Sequence, residues 1–444
     1  MTRKARSRAA IAALGTALTG TLVLAGCTGG GDTGSGGPAF DPDEEITLEM
    51  SWWGDDNRAA LFDEVITAFE AEYPNVSVTQ TPVGSPDDLF NRLATDFGGG
   101  GDTAPDLFAL GGAKPQEYGS VGALLDLSEV DEYVNVGDYP EFSLTSSTVD
   151  GVVYGLPTGG NATAAFVNTD ILEQAGVDIP DAGWTWDDLI EIASEVGAAG
   201  LTNAQGQPIY GVDMRSADII GTFASQETEY GLYTPEGELG VEADTIAKFY
   251  EIEQRLLEAG GLPDPTIITA STNLPPDQQL FTLGQAAITF GYSNLIGTYS
   301  GAGETIILTP PSDTAKTGVS LLPSAFWAIN AASEHPAAAA LLMNWFLTEP
   351  SALELIKDTR GVPFNPASAA IVAPLLEGSS AAAAEYVESV LDSGEVAPPQ
   401  PNGGANMNQY TQNGEAEVLF GRQSPDEAAQ VWIERLGADL ANAR

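Results

Sequence analysis

The sequence predicts an α/β protein in which helices cover a parallel sheet. Three observations carry that prediction. Stretches with alternating apolar residues are followed by stretches with apolar residues three and four apart. Capping and turn residues stand at the joins. The chain has 444 residues and is 43% apolar, enough material for a core in two or three domains.

Taken in order, the elements read as follows. Ile46, Leu48, Met50 and Trp52 alternate with Thr47, Glu49 and Ser51, the period of a strand. Asp55, Asp56 and Asn57 suit a helix cap. Phe62, Val65, Ile66, Phe69 and Tyr73 then recur at helical spacing until Pro74 stops the run. Val76 and Val78 open a second strand. A helix around Leu89, Phe90, Leu93 and Phe97 runs into the glycines at 98–101, and residues 106–110 form a third strand. Strand and helix alternating in this order imply parallel pairing. Further on, residues 152–156 and 164–168 are expected to be extended. Thr185 and Asp188 form a capping-box pattern. Residues 245–258 form a helix with Ile246, Phe249, Tyr250, Ile252, Leu256 and Leu257 apolar. Residues 286–292, 305–308 and 326–330 read as strands. Ser424, Pro425 and Glu427 open a last helix carrying Val431, Trp432, Leu436 and Leu440.

Charge narrows the function. There are 63 acidic and 16 basic side chains, a formal net charge of −47. Nucleic acid is a poor partner for such a chain, because neutralising phosphates needs clustered Lys and Arg. Highly anionic ligands are disfavoured too, unless a local cationic pocket overrides the field. One cysteine excludes an intrachain disulfide framework and a Cys-cluster zinc site. The one histidine, His335, precedes Pro336 and reads as an exposed residue at a helix start.

Catalytic motifs are missing. The glycines at 98–101 are followed by Asp102-Thr103, so they are no P-loop. There is no G-x-S-x-G elbow and no calcium-loop pattern; Asp41, Asp43, Glu44 and Glu45 read as a solvated linker. Carboxylates are too numerous for any pair to mark a glycosidase. No metal and no cofactor are expected.

The amino terminus reads as an export signal. Arg3, Lys4, Arg6 and Arg8 precede an uncharged stretch over residues 9–26. It ends Leu24-Ala25-Gly26-Cys27 and resembles a bacterial lipoprotein signal. On that reading residues 1–26 are removed and Cys27 carries lipid. Residues 27–45 then form a flexible tether, which holds the domain at the extracellular face of the cell membrane.

Aromatic and polar residues gather at strand ends, where open α/β sheets bind ligands. Trp52-Trp53-Gly54-Asp55 closes the first strand and Gly291-Tyr292-Ser293-Asn294 a later one. Sugars fit such places, because aromatic faces pack on their C–H groups and polar side chains reach their hydroxyls. Trp52 is in phase with Leu48 and Met50 and belongs to the core, whereas Trp53 points the other way. Trp186, Trp345 and Trp432 lie in helical patterns and also read as core. Tyr292 and Trp327 stay open between site and core.

Several motifs together resemble the extracellular solute-binding proteins of ABC importers, in the sugar-binding family that includes maltose-binding protein. They are Phe69-Glu70-Ala71-Glu72-Tyr73-Pro74, Pro105-Asp106, Asp150-Gly151 with Tyr154-Gly155-Leu156-Pro157, Asn168-Thr169-Asp170 running to Gly176, Thr185-Trp186-Asp187-Asp188-Leu189, the segment 281–291 and the alanine-rich segment 335–346.

The resemblance implies a periplasmic-binding-protein-like fold. Two α/β lobes, 46–159 plus 309–362 and 160–308 plus 363–444, would enclose a ligand cleft. Hinge crossings are expected near 159–163, 308–311 and 361–363. A monomer would capture a carbohydrate, an oligosaccharide or glycoside, and deliver it to an ABC transporter permease without doing chemistry. Family members that bind maltose carry a tryptophan and an Asp-Arg pair where this chain has Leu110, Ala113 and Lys114. The base is kept in kind, but the aromatic and the acid are lost.

The residues expected in the cleft are Trp53, Asp55, Arg58, Lys114, Asn161, Tyr292, Ser293, Trp327 and Arg360. Asp55 is equally suited to capping, and Arg58 and Arg360 to surface ion pairs. Two other readings stand beside this one. The same scaffold would take a non-sugar solute such as a polyamine or a glycerol phosphodiester, or the chain would be a secreted glycoside hydrolase.

Overall fold

The computed structural model describes residues 37–393, 398 and 400–443. The expected signal, residues 1–26, and the lipidation site Cys27 lie outside the described residues. Of the expected tether, 27–45, residues 37–45 are described, and they make contacts with the folded chain. Phe40 packs edge-on against Tyr73 with ring centroids 5.8 Å apart, and its N–H donates to Tyr133 Oη at 2.8 Å. Asn75 Nδ2 donates to Asp41 O and Glu44 O. The chain just before the first strand is thus packed on the domain, and Asp41, Asp43, Glu44 and Glu45 are exposed while the backbone at 41 and 44 is held.

The chain runs β1 (Ile46–Trp53), α1 (Asp56–Glu72), β2 (Val76–Val83), α2 (Pro86–Gly98), β3 (Leu107–Leu110) and α3 (Lys114–Ser120). The short α4 (Glu141–Leu144) and the hairpin of β4 (Thr148–Val149) and β5 (Val152–Val153) lead into the long β6 (Leu156–Asn168). Asp150 and Gly151 both take left-handed φ at that hairpin's two-residue turn, the twist such turns favour. Then follow α5 (Thr169–Ala175), α6 (Trp186–Ala198), β7 (Tyr210–Asp213), α7 (Ser216–Glu227), α8 (Ala243–Glu258) and α9 (Pro265–Ser271). Next are β8 (Ala286–Tyr292), α10 (Ile296–Tyr299), β9 (Thr305–Leu308) and β10 (Leu321–Ile329). The remainder is helical: α11 (Pro336–Thr348), α12 (Pro350–Ile356), α13 (Pro366–Val372), α14 (Gly378–Ser393), α15 (Met407–Leu419) and α16 (Pro425–Asn442).

The sheet order is β2-β1-β3-β10-β6-β8-β7, with β9 also on β6. β1 pairs in parallel with β2 and β3, as the alternation of strand and helix predicts. β10 returns antiparallel between β3 and β6, a pairing that local periodicity does not reveal. β6 is the shared element. Its first half pairs with β10, and its second half pairs with β8 and β9. One strand therefore carries the chain from one lobe to the other.

Two cores form around this frame. The first gathers Leu48, Met50 and Trp52 of β1 with Phe62, Phe108, Trp327 and Phe346. The second gathers Trp186, Phe223, Phe249, Phe290 and Trp432. β6 feeds both, since Ala164 and Phe166 face one core and Ala165 and Val167 the other. The predicted capping boxes at Thr185 and Ser424 are formed. Asp106 of the Pro-Asp motif ties β1 to the chain after β10, accepting from Glu49 N at 2.8 Å and from Ser333 Oγ at 2.6 Å. His335 stands at the start of α11, half-buried where exposure was expected.

Two crossings differ from expectation. After β9, residues 309–318 stay with the second lobe: Gln226 Nε2 donates to Pro311 O and Thr317 O, and Ser312 N to Trp184 O. The chain crosses at 318–321, about ten residues later than 308–311. Residues 361–363 lie beside the hinge but do not cross there. α13 packs on α11 and α12, and Ser368 Oγ donates to Leu347 O. The chain reaches the second lobe's sheet only with α14, where Tyr386 Oη donates to Thr163 O at 2.7 Å. Whether a loop stays or crosses is decided by these long-range bonds, not by its Gly and Pro content.

Candidate functional site

The hinge is three strands of chain laid side by side. Gly160 and Val362 exchange backbone hydrogen bonds of 2.8 and 3.1 Å. Ser324 Oγ lies against Gly159 O and Arg360 O, and Thr158 Oγ1 donates toward Ala325 O and Arg360 O. Glycine is needed here for space. A Cβ on Gly160 would sit 2.3 Å from the Phe364 ring, and one on Gly159 2.5 Å from Gly361 O.

In front of the hinge lies a cleft of about 330 Å³, at the lower end of the roughly 300–1,000 Å³ of small-molecule sites. Trp53 at the end of β1 and Tyr292 at the end of β8 both line it, with Arg58, Thr359, Arg360, Asn161, Ser324 and Asn294. A second hollow on the second lobe shares Tyr292 and Leu322 with it and adds Asp218, Tyr230 and Tyr233.

Trp53 is placed by the end of β1. Its ring is half-buried, meets Phe90 edge-on at 5.9 Å and has the Arg360 guanidinium 4.9 Å from its centroid. Tyr292 ends β8 and is 38% exposed, so it is a cleft residue and not a core one. Its phenol titrates at about 12, pushed up by desolvation and then by the Asp218 carboxylate. Arg58 donates Nη1 to Trp53 O at 3.2 Å and Nη2 to Thr359 O at 3.1 Å. Arg360 is 6% exposed and donates Nη2 to the same Trp53 O at 3.0 Å.

Five of the nine expected residues thus meet: Trp53, Arg58, Asn161, Tyr292 and Arg360. Four do not line this cleft. Trp327 is 2% exposed and packs between Phe62 and Phe346 in the first core. Ser293 is buried, and its Oγ accepts from Ala162 N at 3.2 Å. Asp55 is exposed and caps α1 by accepting from Arg58 N at 2.9 Å. Lys114 is paired with Glu117 at 2.6 Å, over the Phe90 and Tyr118 rings. Sequence reasoning missed Ser324 and Thr359. Both sit on hinge segments that only the fold brings together, and neither carries a local signal. Asn294 had one, being two residues past Tyr292 at the same strand end.

A second polar cluster lies deeper in the second lobe, where β7 ends. Ser216 Oγ lies within hydrogen-bond reach of both Glu253 Oε1 and Glu415 Oε1, the latter at 2.7 Å. Ser216, Glu253 and Glu415 are buried. A hydroxyl has one proton, so the second contact needs a proton on a carboxyl. Desolvation holds both carboxyls above the usual range, and for Glu253 the Glu415 charge adds to it.

Residues 54–352 match the family of bacterial extracellular solute-binding proteins. The chain belongs to this family. Among relatives of this solute-binding protein, one from Brucella abortus is 34% identical over 161 residues, 36% of this chain and 36% of its own. The chain thus spans about a third of the length of the first curated relatives it matches. The galactooligosaccharide-binding protein of Bacillus subtilis is 22% identical over 357 residues, 80% of each chain. A family 1 extracellular solute-binding protein of Alicyclobacillus acidocaldarius shares the fold, with a TM-score of 0.71 at 23% identity, covering 90% of this chain and 100% of that one. The family consists of binding proteins.

Proposed function

We propose that this solute-binding protein captures an oligosaccharide or glycoside in the cleft between its lobes and presents it to an ABC transporter permease, anchored through lipid on Cys27. One observation carries the reading. Trp53 and Tyr292, from strands of different lobes, line one cleft with Asn161, Asn294 and Ser324. Aromatic platforms facing amides and hydroxyls are the complement of a sugar ring, apolar on its faces and polar at its rim. The oligosaccharide-binding relative supports the same class of solute.

The test is thermal unfolding of the purified full chain against mono- and oligosaccharides, polyamines and glycerol phosphodiesters. A ligand at a thousand times its Kd adds about 4 kcal/mol, an easily read shift. A shift with one sugar class, and that sugar recovered unchanged, supports the reading. A shift with a polyamine or phosphodiester alone keeps the scaffold and overturns the carbohydrate.

A further inference from the structure

The cleft is charged opposite to the chain that builds it. Acidic side chains outnumber basic ones 63 to 16. Yet among the described residues the charged ones lining the cleft are Arg58 and Arg360, while an acid, Asp218, lies in the hollow that adjoins it at Tyr292. Other hollows follow the composition: one is lined by Asp213, Asp218 and Glu415, another by five carboxylates between Asp178 and Glu195.

Neither arginine belongs to an ion pair found among the described residues. Asp55 is the acid that acts on Arg58, but its carboxylate is turned to the α1 cap. Both guanidiniums share one acceptor, Trp53 O. Both Nε atoms are buried without a partner, and among the described residues the Arg360 side chain donates only through Nη2. Burial first, and then the Arg58 charge, bring the Arg360 pKa down to about 9. A buried cation without a carboxylate partner, as Arg360 is, is costly, and the Trp52, Trp53 and Phe62 rings around its guanidinium offset only part of that. An anion from outside relieves both the desolvation and the repulsion.

We propose that the solute is a sugar bearing a carboxylate, a hexuronate-type glycoside, whose carboxylate docks on Arg58 and Arg360 while its ring packs beside Trp53. This rests on the carbohydrate reading above. The spacing suits it. With the Arg360 guanidinium 4.9 Å from the Trp53 ring centroid, a sugar ring against the exposed part of Trp53 brings an exocyclic carboxylate next to the guanidinium fork. Asn161 and Ser324 remain for hydroxyls. A monoanion also suits the surroundings better than a phosphate dianion, because the net charge of −47 repels each added negative charge.

Calorimetric titration of the full chain tests this. The probes are galacturonate and glucuronate mono- and disaccharides, each beside its own methyl ester and the matching neutral hexose sugar. The ester keeps the shape and removes the charge. An acid is expected to bind about 10- to 100-fold more tightly than its ester, the worth of one hydrogen-bonded charge. Arg360→Gln should erase that difference, and Arg360→Lys, which keeps the charge, should recover part of it. The ester comparison is made on the wild-type chain, so a poorly folded variant does not blunt the test. Acid and ester binding equally, a uronate binding the folded Arg360→Gln chain as well as wild type, or a phosphorylated sugar preferred over every uronate would overturn the proposal while the carbohydrate reading stands. Saccharides of no kind binding would overturn both.

Discussion

Trp52 and Trp53 are chain neighbours on opposite faces of one strand. Alternation along β1 predicts the split, and the structure buries Trp52 against Phe62 while Trp53 reaches the cleft. Trp327 shows where that logic stops. Both faces of β10 are covered, with residues 325–330 all buried, so period 2 cannot say which face meets a ligand. The two tryptophans should fail differently. Trp53→Ala should weaken sugar binding about 30-fold or more, the scale of an aromatic hot spot, as read by titration. Trp327→Ala should instead cost about 3–5 kcal/mol of stability by emptying a core site, as read from the urea midpoint. The reverse pattern would show that the site has been assigned to the wrong tryptophan.

At the scale of elements, the hinge is the sharpest case. Its glycines were legible as candidate crossings, but their partners were not, because Gly160 meets Val362 and Phe364 across two hundred residues of sequence. Gly160→Ala should cost about 1–3 kcal/mol by overpacking Phe364; an unchanged melting temperature would mean that the three segments are loosely packed. The contact of α8, α15 and the start of α7 yields a second prediction. Glu253 and Glu415 have native pKa values raised above the ordinary 4.5. The native state therefore binds more protons than the unfolded chain once pH exceeds that value, and stability falls as pH rises toward and through the raised values. Glu253→Gln should raise the melting temperature at pH 8 and leave it nearly unchanged at pH 4. A larger gain at pH 4 than at pH 8 would contradict the shared-proton arrangement.

For the whole molecule, the motif order pointed to the right family and the helix caps to many of the element starts. The path between lobes was less legible. Residues 309–318 look like a Pro-rich crossing, yet Gln226 holds them to the second lobe, and α13 looks like second-lobe chain, yet Ser368 holds it to α11. Composition also concealed the cleft's sign, because a net charge is a sum and two arginines are lost in it. That sum still has kinetic consequences. If the solute is anionic, long-range repulsion by the −47 field slows its approach, while the buried Arg360 and half-buried Arg58 are screened less than surface charges. Association followed by stopped-flow should therefore quicken as salt rises from about 10 to 150 mM, a range over which the screening length falls from about 30 to 8 Å. A rate that falls with salt would assign the encounter to a positive surface that the structure does not show.

The central claim is that a sugar binds between Trp53 and Tyr292. Its most direct test is a crystal structure of the chain with the saccharide that raises its melting temperature. One intact sugar is expected in the cleft, with a ring against Trp53 and polar contacts from Asn161 and Arg360. A sugar seated elsewhere, for instance in the Asp213–Glu415 hollow, or one found cleaved, would contradict it.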